Sequence, residues 1–230
     1  MPAPAPRCIS SMATRALLAE LAAAARAQRG IVVGVESVGG VDAARRVAAG
    51  EAFDLVVLAS DAIDKLIAAG HLLAGSRVDL VRSDVSVAVR AGAIKPDLSS
   101  EESLRAAVLA APTLGYSTGP SGSALLKLFE RWGIAPTVAP RLVQAPPGVP
   151  VAALVARGEV ALGFQQLSEL LNVPGIEIVG PLPAPVRIVT TFSGALGVAG
   201  AQAEAARALL DFMASPACDA AKRTHGMEPA

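Results

Sequence analysis

Aromatic residues are scarce: one Trp, one Tyr and five Phe in 230 residues. A site that binds sugars or bases by stacking needs flat aromatic platforms, and the chain has few to offer. Histidine is equally rare, and His71 and His225 stand alone, without metal-ligand spacing to any cysteine. No metal and no cofactor is therefore expected. The only cysteines, Cys8 and Cys218, lie near the two ends of the chain; a disulfide between them and two buried free thiols are both open readings.

Charge of one sign is missing too. Lys and Arg number 20, Asp and Glu number 20, and the formal net charge is zero. There is no basic stripe for nucleic acid and no cationic cluster for an acidic membrane surface. No apolar run reaches the ~20 residues that span a bilayer, so membrane insertion is not expected. The opening Met1-Pro-Ala-Pro-Ala-Pro has neither the basic segment nor the apolar stretch of a secretory leader. As written the chain reads as cytoplasmic, and as periplasmic if its start was trimmed.

What is abundant is small and medium-sized hydrophobic residues. The hydrophobic fraction is 53% and the charged fraction 17%, enough for a substantial Ala/Val/Leu core. Arg7–Ile9 reads as a short strand, Met12–Gln28 as an amphipathic helix, and Ile31–Glu36 as a buried strand. Ser37–Gly40 reads as a turn, Val41–Ala49 as a helix stopped by Gly50, and Leu55–Leu58 as a strand. Ser60 or Asp61 would cap a helix running to Ala69. This β-α-β-α-β-α order implies a mainly parallel sheet covered by helices.

The pattern then breaks. Val78–Arg90 is a long valine-rich strand, interrupted at Arg82-Ser83-Asp84, that leaves one lobe and enters another. A second alternation follows: a helix over Ser100–Leu109, a strand at Thr113–Tyr116, and a loop over Ser117–Gly122. After it come a helix over Ser123–Arg131, a strand at Ala139–Val143, a helix over Val149–Ala156 and a strand at Val160–Phe164. Gln165-Gln166 falls just past that last strand. Pro181–Pro185 reads as a linker and Val186–Ala195 as a strand crossing back, before a helix over Ala201–Ala214. The expected domains are 1–82 for the first lobe, 83–187 for the second and 188–230 for the return. Two crossings imply a hinge and a cleft.

In open α/β sheets ligands meet the carboxyl ends of strands, where loops lead into helices. Four such places carry small hydroxyl or glycine residues: Ser10-Ser11, Val38-Gly39-Gly40, Ser60, and Thr118 with Ser121-Gly122-Ser123. Each precedes a helix whose free N–H groups favour an anion. Taken singly, such serines are also ordinary helix caps, and such glycines ordinary turn residues. Arg82 and Ser83 lie in the first crossing strand, and an arginine there can fork onto a carboxylate; Arg90 and Arg187 read more simply as surface or hinge ion pairs. Gln165 and Gln166 can donate amides or stand exposed at a helix start. Glu36, Asp61 and Glu169 are the acidic groups near loop ends, each explicable as a cap. No phosphate-cleaving loop, nucleophile elbow or Ser/His/Asp set is present.

Three segments carry a resemblance. Gly50-Glu51-Ala52-Phe53-Asp54-Leu55-Val56-Val57-Leu58-Ala59-Ser60 with Ile63–Leu72, then Val155–Gly163, then Leu210–Pro216 with His225-Gly226-Met227, resemble in order the motifs of the molybdate-binding protein family. The similarity runs over nearly the whole chain. It implies a two-lobed type-2 periplasmic binding fold with two crossing strands as hinge, and an oxyanion or small carboxylate held between the lobes. It also implies a role as the substrate-binding component of an ABC-type transporter, with a permease as partner, or as a cytoplasmic relative. By position the family's first serine falls at Ser10 or Ser11. The Val38-Gly39-Gly40 loop lacks the family's serine, and Gly163-Phe164-Gln165-Gln166 replaces its tyrosine. Relatives of this kind include isomerases of small tricarboxylates such as aconitate, which need a proton-shuttling base. A ligand-sensing module is the third reading; it would carry a helix-turn-helix, and none is seen.

Overall fold

The computed structural model describes residues 5–146 and 148–230. Along the chain, β1 (Arg7–Ser11) leads through a 3-10 turn into α1 (Arg15–Arg29), followed by β2 (Gly34–Val38), α2 (Gly40–Ala48), β3 (Leu55–Ala59), α3 (Ser60–Ala68) and the long β4 (Val78–Arg90). Next come α4 (Glu101–Ala110), β5 (Leu114–Tyr116), α5 (Pro120–Arg131), α6 (Ala135–Val138), β6 (Leu142–Gln144), α7 (Val151–Ala156), β7 (Leu162–Gln166), α8 (Leu167–Leu170) and β8 (Ile176–Pro181). The chain closes with β9 (Val189–Leu196), α9 (Ala203–Ala214), α10 (Asp219–Thr224) and β10 (Met227–Pro229). It divides into two compact units, residues 5–82 with 191–230, and residues 83–190 without 147. Both β4 and β9 run through each of them.

In the first unit the strands lie in the order β2-β1-β3-β9. β1 is parallel to both β2 and β3, whereas β9 is antiparallel to β3. The central strand β3 is buried at all five positions, so both of its faces must be covered. One face packs Leu55 and Val57 with Leu17, Leu18, Leu21 and Ala25 of α1 and Leu209, Leu210 and Met213 of α9. The other packs Val56 and Leu58 with Ala43 and Val47 of α2 and Ile63 and Leu66 of α3. Period-two alternation in the strand and the i, i+3/i+4 spacing in the helices thus meet in two layers. Burying each Leu or Ile contributes ~1.5–3 kcal/mol.

β2 corrects the sequence expectation. It spans Gly34–Val38, not Ile31–Glu36, and it is only partly buried because it forms an edge of the sheet. Ser37 and Val38 consequently end a strand instead of forming a turn. The last strand, β10, is only three residues long, too short to carry a strand pattern in sequence; it pairs with β4.

In the second unit β7 lies between β4 and β5, with β6 outside β5. β5 is parallel to β6 and β7, and β4 is antiparallel to β7. The segment read as a linker is preceded by a strand, β8, which pairs antiparallel with β4 through a bulge at Val87/Ala88. Val85, Val87, Phe164 and Leu114 face a cluster with Leu104, Val108, Leu125 and Phe129 of α4 and α5. Ala88 faces Ala152 and Leu170 on the opposite side. β4 is continuous through Arg82-Ser83-Asp84, since a strand with one buried face tolerates polar residues at alternate positions. The proposed strand at Ala139–Val143 begins later, at Leu142, because Pro140 lies in a helical turn that continues α6.

Candidate functional site

The carboxyl ends of β1, β2 and β3 in the first unit all lead into helices. The parallel register sets Ser10 beside Ser37 and Ser11 beside Val38. The Ser10 and Ser37 hydroxyls are 2.8 Å apart. Ser11 is 6% exposed, and its Oγ has no hydrogen-bond partner. It packs against the start of α2, where a Cβ built on Gly40 would lie 3.5 Å from the Ser11 Cβ. Gly39 is the N-cap of α2 and supplies no side-chain oxygen. The first N–H groups of that helix are thus left without a side-chain cap, next to an idle hydroxyl.

Ser60 does not cap α3; Ala59 holds that position. The Ser60 hydroxyl instead contacts Ser193 Oγ at 2.7 Å and donates toward the Thr191 carbonyl oxygen at 3.0 Å. Asp61 is exposed and sits 3.6 Å from Lys65. Glu36 is exposed and paired with Arg46 at 2.5 Å, a bond that holds its carboxyl below the usual range. Arg82 donates to the Pro229 carbonyl oxygen at 3.0 Å, so its guanidinium ties β4 to the last strand. Cys8 and Cys218 are free and buried, not joined. A cavity of about 150 Å³ in this unit is lined by Gly50, Phe53, His71 and Val198, among others. Gly50 and Phe53 precede β3, so this cavity lies at the amino end of that strand, whereas Ser60 follows its carboxyl end.

In the second unit the helix expected from Ser123 begins at Pro120. Ser121 and Gly122 therefore belong to the first turn of α5 and are buried, while Thr118 and Ser123 are exposed. Ser121 Oγ is 3.2 Å from Ser117 Oγ. Gly122 is required by close approach: a Cβ there would lie 1.9 Å from the Ser117 carbonyl oxygen.

Gln165 and Gln166 are not past the strand but are its last two residues, both buried. The Gln165 Oε1 accepts the Ala152 N–H at 3.0 Å, which leaves its Nε2 to donate to the Glu169 carboxyl. Burial pushes the Glu169 carboxyl up to about 7, against the opposing effect of that hydrogen bond. Gln166 Nε2 donates to Thr190 Oγ1 at 2.7 Å, while its Oε1 is unpartnered. Ser83, Ser86 and Ser168 also have buried hydroxyls without partners. Ser86 stands opposite Gln165 in the β4–β7 register. Arg187 forks onto Asp84 at 2.5 and 2.6 Å.

Sequence reasoning missed Ser37, Ser86 and the link from Gln165 to Glu169. A signal for Ser86 was present: it is a lone hydroxyl in Val85-Ser86-Val87-Ala88-Val89, a run otherwise wholly apolar. Ser37 could be found only once β2 was placed in register with β1.

Among the described residues no helix is long and apolar enough to cross a membrane, and no cluster of three His, Cys, Asp or Glu residues could hold a metal ion. Residues 7–228 match the family described as bacterial extracellular solute-binding protein. An aconitate isomerase from Pseudomonas sp is 42% identical over 185 residues, which make up 80% of this chain and 70% of that protein. The periplasmic molybdate-binding protein of Azotobacter vinelandii superposes with a TM-score of 0.80 at 20% identity, over 96% of this chain and 98% of that one. The sulfate-binding protein of Mycobacterium tuberculosis H37Rv gives a TM-score of 0.80 at 16% identity, over 99% and 88% respectively. At these identities the last two likenesses are of fold, the α/β architecture of type-2 periplasmic binding proteins.

Proposed function

Because this chain belongs to the bacterial extracellular solute-binding proteins, we propose that it binds a small carboxylate anion at the carboxyl ends of its parallel strands. The observation that carries this reading is Ser11. A buried hydroxyl without a partner costs ~1–3 kcal/mol of lost solvation, and here it lies beside a helix start that no side chain caps. An anion accepting from Ser11 Oγ and from the first N–H groups of α2 would satisfy both, with the partial positive charge of the helix end in support. The kinship to a protein described as an aconitate isomerase favours a carboxylate over a tetrahedral oxyanion. As a binding component the chain would deliver this solute to the permease of an ABC-type transporter.

The experiment is a thermal-stability screen against cis- and trans-aconitate, citrate, sulfate, molybdate and tungstate. A bound ligand raises the midpoint by mass action, adding about 2.7 kcal/mol of stability at 100 times Kd. Ser11→Ala is expected to weaken the stabilising ligand by about 1–3 kcal/mol, roughly 5- to 150-fold in Kd, at no cost to the free protein, because Ser11 Oγ has no internal partner to lose. Stabilisation by molybdate or sulfate alone would overturn the carboxylate assignment.

A second reading has one specific observation behind it. A carrier needs no ionisable group that changes charge near neutrality, whereas a carboxylate isomerase does. The second unit holds such a carboxyl in Glu169. On this reading the bound carboxylate is isomerised, and turnover followed by NMR separates enzyme from carrier.

A further inference from the structure

The cavity of about 150 Å³ at the amino end of β3 lies between the carboxyl ends of α2 and α3, where Gly50 and Gly70 line it. Its frame is backbone from three segments stitched together. The Leu73 N–H donates to the Leu196 carbonyl oxygen at 2.9 Å, the Val198 N–H to that of His71 at 3.1 Å, and the Gly197 N–H to that of Asp54 at 3.1 Å. Gly197 lines the cavity as well, and a Cβ there would lie 1.9 Å from the Phe53 carbonyl oxygen, so only glycine permits this approach. A cavity framed by hydrogen-bonded backbone is pre-formed, as ligand sites generally are. One of this size admits a benzene-sized guest.

Its walls are apolar and its polar groups few. Val47 and Phe53 are buried, while Val198 is 53% exposed at the mouth. The lining includes one carboxylate, Glu51, and no Lys or Arg. Arg7 and Arg46 stand behind it, 4.7 and 5.4 Å from the Phe53 ring centroid. Both are committed: Arg7 to Glu51, and Arg46 to Glu51 and Glu36, two guanidinium groups against two carboxylates. The other basic residues of the two last helical turns are committed as well, Arg45 to Asp42 and Lys65 to Asp61. The partial negative charge of two helix carboxyl ends therefore tips the balance toward a cation. The His71 side chain, which also lines the cavity, has no hydrogen-bonding or ionic partner among the described residues.

The geometry points to a second binding site here, for a small primary amine: an ammonium group on an apolar body of about six to eight non-hydrogen atoms. The body packs on Val47, Phe53 and Val198. The ammonium has three protons to donate, and the acceptors that await them are a Glu51 oxygen, a ring nitrogen of His71 and the carbonyl groups at the ends of α2 and α3. Hydrogen bonds from Arg46 hold the Glu51 carboxyl down at about 2, so it remains ionised wherever the amine is protonated. A metal ion would find only Glu51 and His71 as side-chain ligands, too few to hold it. An anion meets a carboxylate and two negative helix ends. The site thus has the opposite preference to the one at the carboxyl ends of the strands, and it stands whether or not that one takes a carboxylate.

The test titrates the full chain, labelled at its valine methyl groups, with benzylamine and with its neutral and anionic counterparts benzyl alcohol and benzoate, by NMR. Expected are saturable shifts of the Val47 and Val198 methyls, with benzylamine bound roughly tenfold more tightly than either counterpart. His71→Leu, at a half-buried position whose side chain has no partner to lose, should weaken benzylamine about three- to tenfold. Val198→Trp enlarges an exposed wall residue and should abolish the Val47 shift with the fold retained by circular dichroism. Excess trans-aconitate should leave the benzylamine shifts in place. Absence of saturable shifts at Val47 and Val198 overturns the site. Equal affinity for benzyl alcohol or benzoate overturns the amine assignment, and undiminished binding in both variants overturns the location. Displacement of benzylamine by trans-aconitate overturns the claim that the site is a second one.

Discussion

The Ser60 hydroxyl lies 2.7 Å from the Ser193 hydroxyl, joining the first residue of α3 to the strand β9 that returns from far along the chain. Ser193 also meets Asp79 Oδ1 at 2.6 Å. Burial opposes the charge on Asp79, but hydrogen bonds from Ser193 and Arg77 outweigh it and hold the carboxyl below its usual range. The sequence position of Ser60 suits a helix cap or ligand contact; in the structure its hydroxyl is already engaged within its own unit.

Ser193→Ala should therefore destabilise the protein by about 1–3 kcal/mol, since it strips a donor from a partly buried carboxylate. Urea unfolding measures this. A change below 0.5 kcal/mol, the scatter of ordinary surface substitutions, would show that the triad contributes nothing net.

Glu169 sets the pH dependence. Its carboxyl rises from an ordinary 4.5 to about 7 on folding, so the folded state holds the proton more tightly. Stability from this group is fully present below pH ~4.5 and is lost as pH rises through about 7. At 1.36 kcal/mol per unit the loss is on the order of 2–3 kcal/mol after allowing for partial solvent screening. Glu169→Gln cannot ionise, so it should be more stable than wild type at pH 8 and equal to it near pH 4.5. Equal denaturant midpoints at both values would rule this out.

Gly122→Ala should cost at least 2 kcal/mol, because its methyl group meets a backbone oxygen at 1.9 Å, an atom that cannot rotate away. A midpoint close to that of wild type would mean that the first turn of α5 can shift to admit it.

The two thiols should be silent in the native protein. Cys8 is buried, and that burial pushes its thiol up to about 12; Cys218 is buried and raised as well. Because only the thiolate attacks, an aromatic disulfide reagent should titrate two thiols after unfolding and fewer than a tenth of that before. Rapid native labelling of either would contradict the burial.

The order of strands and helices is largely legible in the sequence, because each buried element carries its own periodicity. Leu55–Ala59 is apolar throughout since both faces are covered, and Arg15–Arg29 repeats leucine on one face because only that face is covered. Edges were harder. β2, β8 and β10 have weak or short patterns because an edge strand buries little, and helix starts shifted where proline or glycine could enter the first turn, as at Pro120.

What the chain alone determined was the α/β class and the places where strands hand over to helices, which follow from hydrophobic period and turn chemistry. Which polar groups at those places are idle and which are occupied was decided by tertiary structure. Ser11 and Ser60 read alike in sequence, yet the parallel register leaves one hydroxyl without a partner while the antiparallel return of β9 engages the other. Glu36 and Glu169 read alike too. Only packing sets one against an arginine in solvent and the other against an amide in a desolvated corner, and a carboxyl's chemistry follows from those surroundings.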